Sequence, residues 1–217
     1  MQSTATQRQI PVPGLGALVG PAGPSLFEAL FPRATLAHKA SGAVAFVVLT
    51  AILANARFYL PDNPVPITLQ TAGVLATGAV MGWRWGLASV VAYYLVGLAG
   101  APVFASQNGG WNYAAHGVTG GYLLGFILAS AATGFLAQRG WNRGRSLWAV
   151  LIGGLLVYLP ALIWLSVFDF GWPAPGQLFS GAMYPFIPGD LVKIVAVSAG
   201  AGALWRVADS RRANSNS

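Results

Sequence analysis

Ile187-Pro188-Gly189-Asp190-Leu191-Val192-Lys193-Ile194-Val195-Ala196-Val197 opens the last hydrophobic segment of the chain, and every residue from there to Trp205 is apolar or small. A run of this kind is long enough to cross the hydrocarbon core of a bilayer as a helix. An acid and a base at its edge are expensive in hydrocarbon, so by default they mark a functional site. Three residues apart on a helix, Asp190 and Lys193 lie on one face. Two plainer readings stand beside this one. Asp190 follows Pro188-Gly189, the context of a helix N-cap, where Asp is favoured. Lys193 can lay its stem along the apolar surface and carry its charge to the interface.

Composition agrees with the membrane reading. Hydrophobic residues make up 55% of the 217 and charged residues 8%, against about 25% charged in an ordinary soluble domain. The chain reads as one polytopic membrane domain. The pI near 10.3 reflects a few arginines among very few acids, so no nucleic-acid partner is expected. Cysteine is absent, which excludes a disulfide framework and a thiolate metal site. His38 and His116 stand far apart without clustered acids, so no metal centre is expected.

Six apolar spans are expected, at roughly 38–58, 66–83, 86–104, 118–138, 147–168 and 189–207, each near the approximately 20 residues that a crossing needs. No strand-like alternation competes with them, and a spanning backbone must satisfy its own hydrogen bonds. Met81-Gly82-Trp83-Arg84-Trp85-Gly86 reads as a tight turn flanked by interfacial tryptophans. Residues 1–35, rich in Pro and Gly and without a signal-peptide pattern, read as a flexible N-terminal arm, with a short interfacial helix turn at 25–31. Residues 36–208 form the transmembrane domain and 209–217 a polar tail. With both termini cytoplasmic, ten Lys and Arg residues fall on the inner side and Arg57 alone on the outer side, with Lys193 inside a span. This is a strong positive-inside signal. It places Asp190 and Lys193 in the outer third of the last helix. Ala37, Ser41 and Ala45 form a stripe of small residues on the first span, and Gly78, Gly82 and Gly86 form another at the end of the second. Such stripes permit close helix packing.

The outer ends of the spans collect polar and aromatic groups: Thr68 and Gln70 on the second, Phe104, Gln107 and Asn108 after the third, Tyr122 on the fourth. With Asp190 and Lys193 they supply a few placed polar groups for an otherwise apolar pocket. The matching solute is small and amphipathic, with hydrogen-bond donors and an anionic end.

Four stretches in order, Pro64-Val65-Pro66-Ile67-Thr68-Leu69-Gln70-Thr71, Gly97-Leu98-Ala99-Gly100-Ala101-Pro102-Val103-Phe104, Thr119-Gly120-Gly121-Tyr122-Leu123-Leu124-Gly125-Phe126 and Gly189-Asp190-Leu191-Val192-Lys193, resemble the motif series of the BioY family. The family is the biotin-specific substrate-capture (S) component of energy-coupling factor (ECF) transporters. The resemblance covers about residues 38–207. It implies an all-α membrane protein of six transmembrane helices in the bacterial cytoplasmic membrane, with the S-component fold, cytoplasmic termini and a biotin pocket near the outer surface. It assigns substrate binding to Asp190 and Lys193, to Asn108 or, one register away, Gln107, and to Gln70, Thr68 and Tyr122. Phe104 is expected against the thioether ring, and the loop at 59–65 is a candidate lid. It does not divide the ureido ring and the carboxylate of biotin between Asp190 and Lys193.

Neither lysine, preceded by His38 and Val192, completes the Gly-Lys pair of a phosphate-binding loop. No cofactor is expected, and the resemblance implies that energy would come from a transmembrane coupling (T) subunit with a pair of ABC-type ATPase subunits, with Ala37, Ser41 and Ala45 as the candidate docking face. The alternative within transport is a solitary biotin facilitator, working as a homo-oligomer without ATPases. The alternative outside it, an intramembrane enzyme, lacks parts. Ser41 sits in Lys39-Ala40-Ser41-Gly42, without the first Gly of a G-x-S-G motif, and His116 lies in an outer loop.

Overall fold

Capping residues start the first two helices of the computed structural model, which describes residues 15–18, 20–143 and 147–215. Ser25 and Glu28 form a capping box at the head of α1 (Leu26–Leu30). Thr35 and His38 form another at the head of α2 (Leu36–Asn55). Both satisfy backbone N–H groups that a helix start leaves open. Glu28 also receives a hydrogen bond from Lys39, which ties α1 to α2. Leu26 and Ala29 are buried in a small second core with Ala79, Ala201, Trp205 and Ala208. Gly23 N–H donates to the Gln138 carbonyl, and Gln138 Nε2 donates back to the Gly23 carbonyl. The second half of the stretch read as a flexible arm is therefore packed on the bundle, and residues 1–14 lie outside the described residues.

After α2 the chain makes a short hairpin, β1 (Arg57–Phe58) and β2 (Ile67–Thr68), antiparallel with Arg57 opposite Thr68 and Phe58 opposite Ile67. Two-residue strands are too short to leave an alternating pattern in the sequence. The hairpin moves the start of the next helix from the expected 66 to Gln70.

The expected second and third spans are the two limbs of one element, α3 (Gln70–Leu98), which turns back on itself at Gly82. Gly82 has φ 76°, a left-handed conformation that favours glycine. Two contacts show the reversal. Gln70 Nε2 donates to the Tyr93 hydroxyl at 2.8 Å, and a Cβ placed on Gly86 would lie 3.0 Å from the Gly78 Cα. In a straight helix, residues eight apart are separated by roughly 12 Å along the axis. Gln138 holds the turn by accepting the Trp83 N–H.

A short helix, α4 (Trp111–His116), precedes α5 (Gly120–Leu136), which ends in a π-helical turn at Ala137–Trp141. Helices α6 (Trp148–Leu156) and α7 (Tyr158–Val167) run on through Val157. Short α8 (Leu178–Ala182) leads to α9 (Ile187–Ser215), which stays helical through most of the stretch read as a polar tail. By length and apolarity, five helices among the described residues can cross a membrane. The protein is thus a multi-pass helical membrane protein. Helix α5 has 67% of its apolar window buried and α2 only 6%, so α5 is the axis of the bundle and α2 its most open wall.

Candidate functional site

At the end of the bundle opposite the Gly82 turn, one cavity is lined from β2 (Ile67, Thr68), α3 (Gln70, Thr71), α5 (Tyr122, Leu123, Phe126), α7 (Tyr158) and α9 (Asp190, Lys193), with Val65, Ala105, Tyr113 and Phe186 between them. Its lining is largely apolar and aromatic, and its charge is concentrated in one place. Lys193 Nζ donates to Asp190 Oδ1 at 2.8 Å, and the Tyr158 hydroxyl donates to Asp190 Oδ2. Lys193 is only 7% exposed, so it does not snorkel. Helix α9 begins at Ile187, so Asp190 sits inside its first turn rather than at the cap. A buried carboxylate needs partners, and here each oxygen has one.

Aromatic rings hold this cluster in place. Tyr122 lies edge-on to Tyr158, with centroids 6.4 Å apart, and packs on Phe186 at 6.0 Å. Its hydroxyl donates to the Ala182 carbonyl, which ties α5 to α8. The Gln70 side chain belongs to a relay in which Tyr93 donates onward to the Val103 carbonyl at 2.7 Å. Thr68 Oγ1 accepts the Gln70 N–H. Asp190, Lys193, Gln70, Thr68 and Tyr122 therefore meet at one cavity, as the sequence reading expected.

Three expected residues go elsewhere. Phe104 is fully buried behind the wall, stacked on Tyr113 with centroids 5.7 Å apart and set edge-on to Tyr93 at 5.4 Å. The Tyr113 ring, and not Phe104, lines the cavity. Asn108 turns its Nδ2 onto the Ala105 carbonyl at 2.9 Å. Gln107 is exposed, and its N–H donates to Asn55 Oδ1. The cause is local backbone: Ser106 (φ 61°) and Gln107 (φ 55°) both adopt left-handed conformations, which bend the loop so that only Ala105 reaches the cavity. Besides Tyr113, sequence reasoning missed Tyr158. A hydroxyl within an apolar span was the available signal, because a buried Tyr O–H needs a partner.

The stripe Ala37, Ser41, Ala45 is exposed on α2. Ser41 Oγ donates to the Ala37 carbonyl of its own helix. Among the described residues, no group of three His, Cys, Asp or Glu side chains is placed to hold a metal ion.

Comparison with known proteins gives a consistent picture. A family model described as the BioY family matches residues 30–210. A probable biotin transporter BioY from Methanothermobacter thermautotrophicus is 38% identical over 141 residues, covering 60% of this chain and 85% of that protein. A biotin transporter BioY from Rhodobacter capsulatus is 37% identical over 169 residues, covering 70% of this chain and 87% of that protein. Among solved structures, a crystal structure of the S-component for biotin from an ECF-type ABC transporter superposes with a TM-score of 0.69 at 27% identity, covering 78% of this chain and 92% of that one.

Proposed function

Because the chain belongs to the BioY family, we propose that it captures biotin at the outer face of the bacterial cytoplasmic membrane and carries it inward as the S component of an ECF-type transporter. It is a transport protein and not an enzyme. The observation that carries the reading is the cluster of Asp190, Lys193 and Tyr158 in the wall of a largely apolar and aromatic cavity. The cation and anion lie 2.8 Å apart, close enough for one ligand group to address both. The ureido group of biotin has an N–H beside a C=O, a donor for Asp190 and an acceptor for Lys193. The carboxylate sits at the far end of the valerate chain and cannot share that position. We therefore assign the ureido ring to the pair, with Tyr158 holding Asp190 in orientation.

Charge distribution supports the orientation. Arg33, Lys39, Arg84, Arg139 and Arg206 belong to segments at the end of the bundle with α1 and the Gly82 turn, whereas the cavity end carries Arg57 and the paired Lys193. That pattern supports a cavity that faces outward and termini in the cytoplasm. With the limbs of α3 counted separately, the chain crosses six times.

The test is titration of purified, detergent-solubilised protein with biotin and with dethiobiotin. Saturable binding of biotin is the expected result, and its absence overturns the reading. Tyr158→Phe should weaken biotin binding about tenfold, because one oxygen of a buried carboxylate then loses its partner. Wild-type affinity in that variant would remove Tyr158 from the site.

Energy comes from outside the chain in this reading, from a T subunit and paired ATPases. The exposure of Ala37, Ser41 and Ala45 on the open wall α2 supports docking there. Replacing all three with Leu should abolish co-purification with the coupling subunit and ATP-driven accumulation, while biotin binding stays intact. Unchanged complex formation refutes this docking face, and uptake without any ATPase subunit favours the solitary facilitator.

A further inference from the structure

On the cavity side of the hairpin, Arg57 makes no ion pair among the described residues, whereas Lys193 is committed to Asp190. Its position is built. Arg57 Nη1 donates to the Asn55 carbonyl at 3.1 Å and to Asn55 Oδ1 at 3.3 Å. The same Oδ1 accepts the Gln107 N–H at 3.2 Å. This bridge fixes the guanidinium between the end of α2 and the loop whose Ala105 lines the cavity. In the strand register Arg57 stands opposite Thr68, another lining residue, and directly opposed residues project from the same face of a sheet. A groove containing Arg57, Leu60 and Val192 shares Ile67, Thr68 and Lys193 with the lining of the cavity. The charge of Arg57 also reaches the cavity wall. Burial raises the Tyr113 phenol above its ordinary value, and Arg57 offsets part of that rise.

An arginine has five N–H donors in a fork suited to a carboxylate, and Asn55 occupies only those on Nη1. Resting on the biotin reading, in which the ureido ring is taken by Asp190 and Lys193, we propose that Arg57 receives the carboxylate at the rim of the cavity. The ligand then lies with its neutral ring at the buried charge pair and its anionic end on the exposed cation. An exposed cation at the rim also draws an anionic solute in from the medium. The competing role for Arg57 is local, as a cover for the last carbonyls of α2, where a cation is favourable.

The two roles separate in a comparison of biotin with biotinamide, its neutral primary amide, by titration calorimetry and stopped-flow binding. Wild-type protein should bind biotin about tenfold more tightly than biotinamide, the scale of one charge-assisted hydrogen-bonded contact. Arg57→Ala should weaken biotin about tenfold and leave biotinamide unchanged, so the preference disappears. Arg57→Lys should keep part of it. The association rate of biotin should fall with added salt in the wild type and stay flat in Arg57→Ala. If Arg57→Ala weakens both ligands equally, or neither, the carboxylate assignment is overturned and the helix-end role stands. If wild-type protein binds neither ligand, the biotin reading itself fails.

Discussion

Lys193→Ala and Asp190→Ala should each weaken biotin binding at least roughly thirtyfold, because removing one member of a buried, hydrogen-bonded charge pair typically costs about 2–5 kcal/mol. The two losses should differ. Lys193→Ala leaves Asp190 with the Tyr158 hydroxyl as a remaining partner. Asp190→Ala leaves a cation of 7% exposure with no counter-charge and also orphans Tyr158, so it should be the more damaging change. The double variant should lose less than the sum of the two, since no unpaired charge remains. Titration of all three against the wild type checks the ordering, with thermal unfolding in detergent as the control for folding. Wild-type affinity in both single variants removes the pair from the binding site.

The second large effect is expected far from the ligand. At Gly78 an added Cβ would lie 2.4 Å from the Ser130 carbonyl oxygen, a backbone atom that cannot swing aside. Across the turn of α3, a Cβ on Gly86 would lie 3.0 Å from the Gly78 Cα and 3.1 Å from Ser130 Oγ. The first limb of α3 thus meets both α5 and the second limb at backbone distance, the geometry that small residues permit in membrane helices. Gly78→Ala should destabilise the bundle by about 1–3 kcal/mol through overpacking. Gly78→Leu should be worse. Gly200→Ala is the matched control: nothing lies within 4 Å of its added Cβ, and alanine favours a helix over glycine. A melting temperature lowered in Gly78→Ala but not in Gly200→Ala confirms the crossing. Equal melting of all three would show that α3 and α5 stand further apart.

Much of this arrangement is legible in the sequence because hydrocarbon imposes a narrow code. Apolar runs of spanning length announce helices, and costly groups within them, such as Asp190, Lys193 and Gln70, announce a site. The turn at Gly82 can be read for the same reason, from a glycine just before the interfacial tryptophans Trp83 and Trp85. What escapes is decided by local backbone and by packing. Helix α1 lies in a Pro- and Gly-rich stretch whose composition says arm, although Leu26 and Ala29 find a core of their own. Phe104, Gln107 and Asn108 are displaced by two left-handed residues that no hydropathy pattern signals. Tyr158 is hidden because one hydroxyl barely changes the apolarity of its span. Its meaning appears only when α7 is set against α9.

Asp190 and Lys193 ride on the same helix, less than one turn apart, so they tilt and slide together as a single body. Tyr158 rides on α7. The cluster therefore works like a vernier: its two charges keep their spacing whatever α9 does, and only the Tyr158 bond reads the offset between the helices. A shift of α7 past α9 would break that bond and unseat the carboxylate from its aromatic mount while leaving the ion pair closed. Grip and neutrality are thereby separated. A displacement of α7 against α9 would then cost the cluster one hydrogen bond without stranding a bare charge inside the membrane.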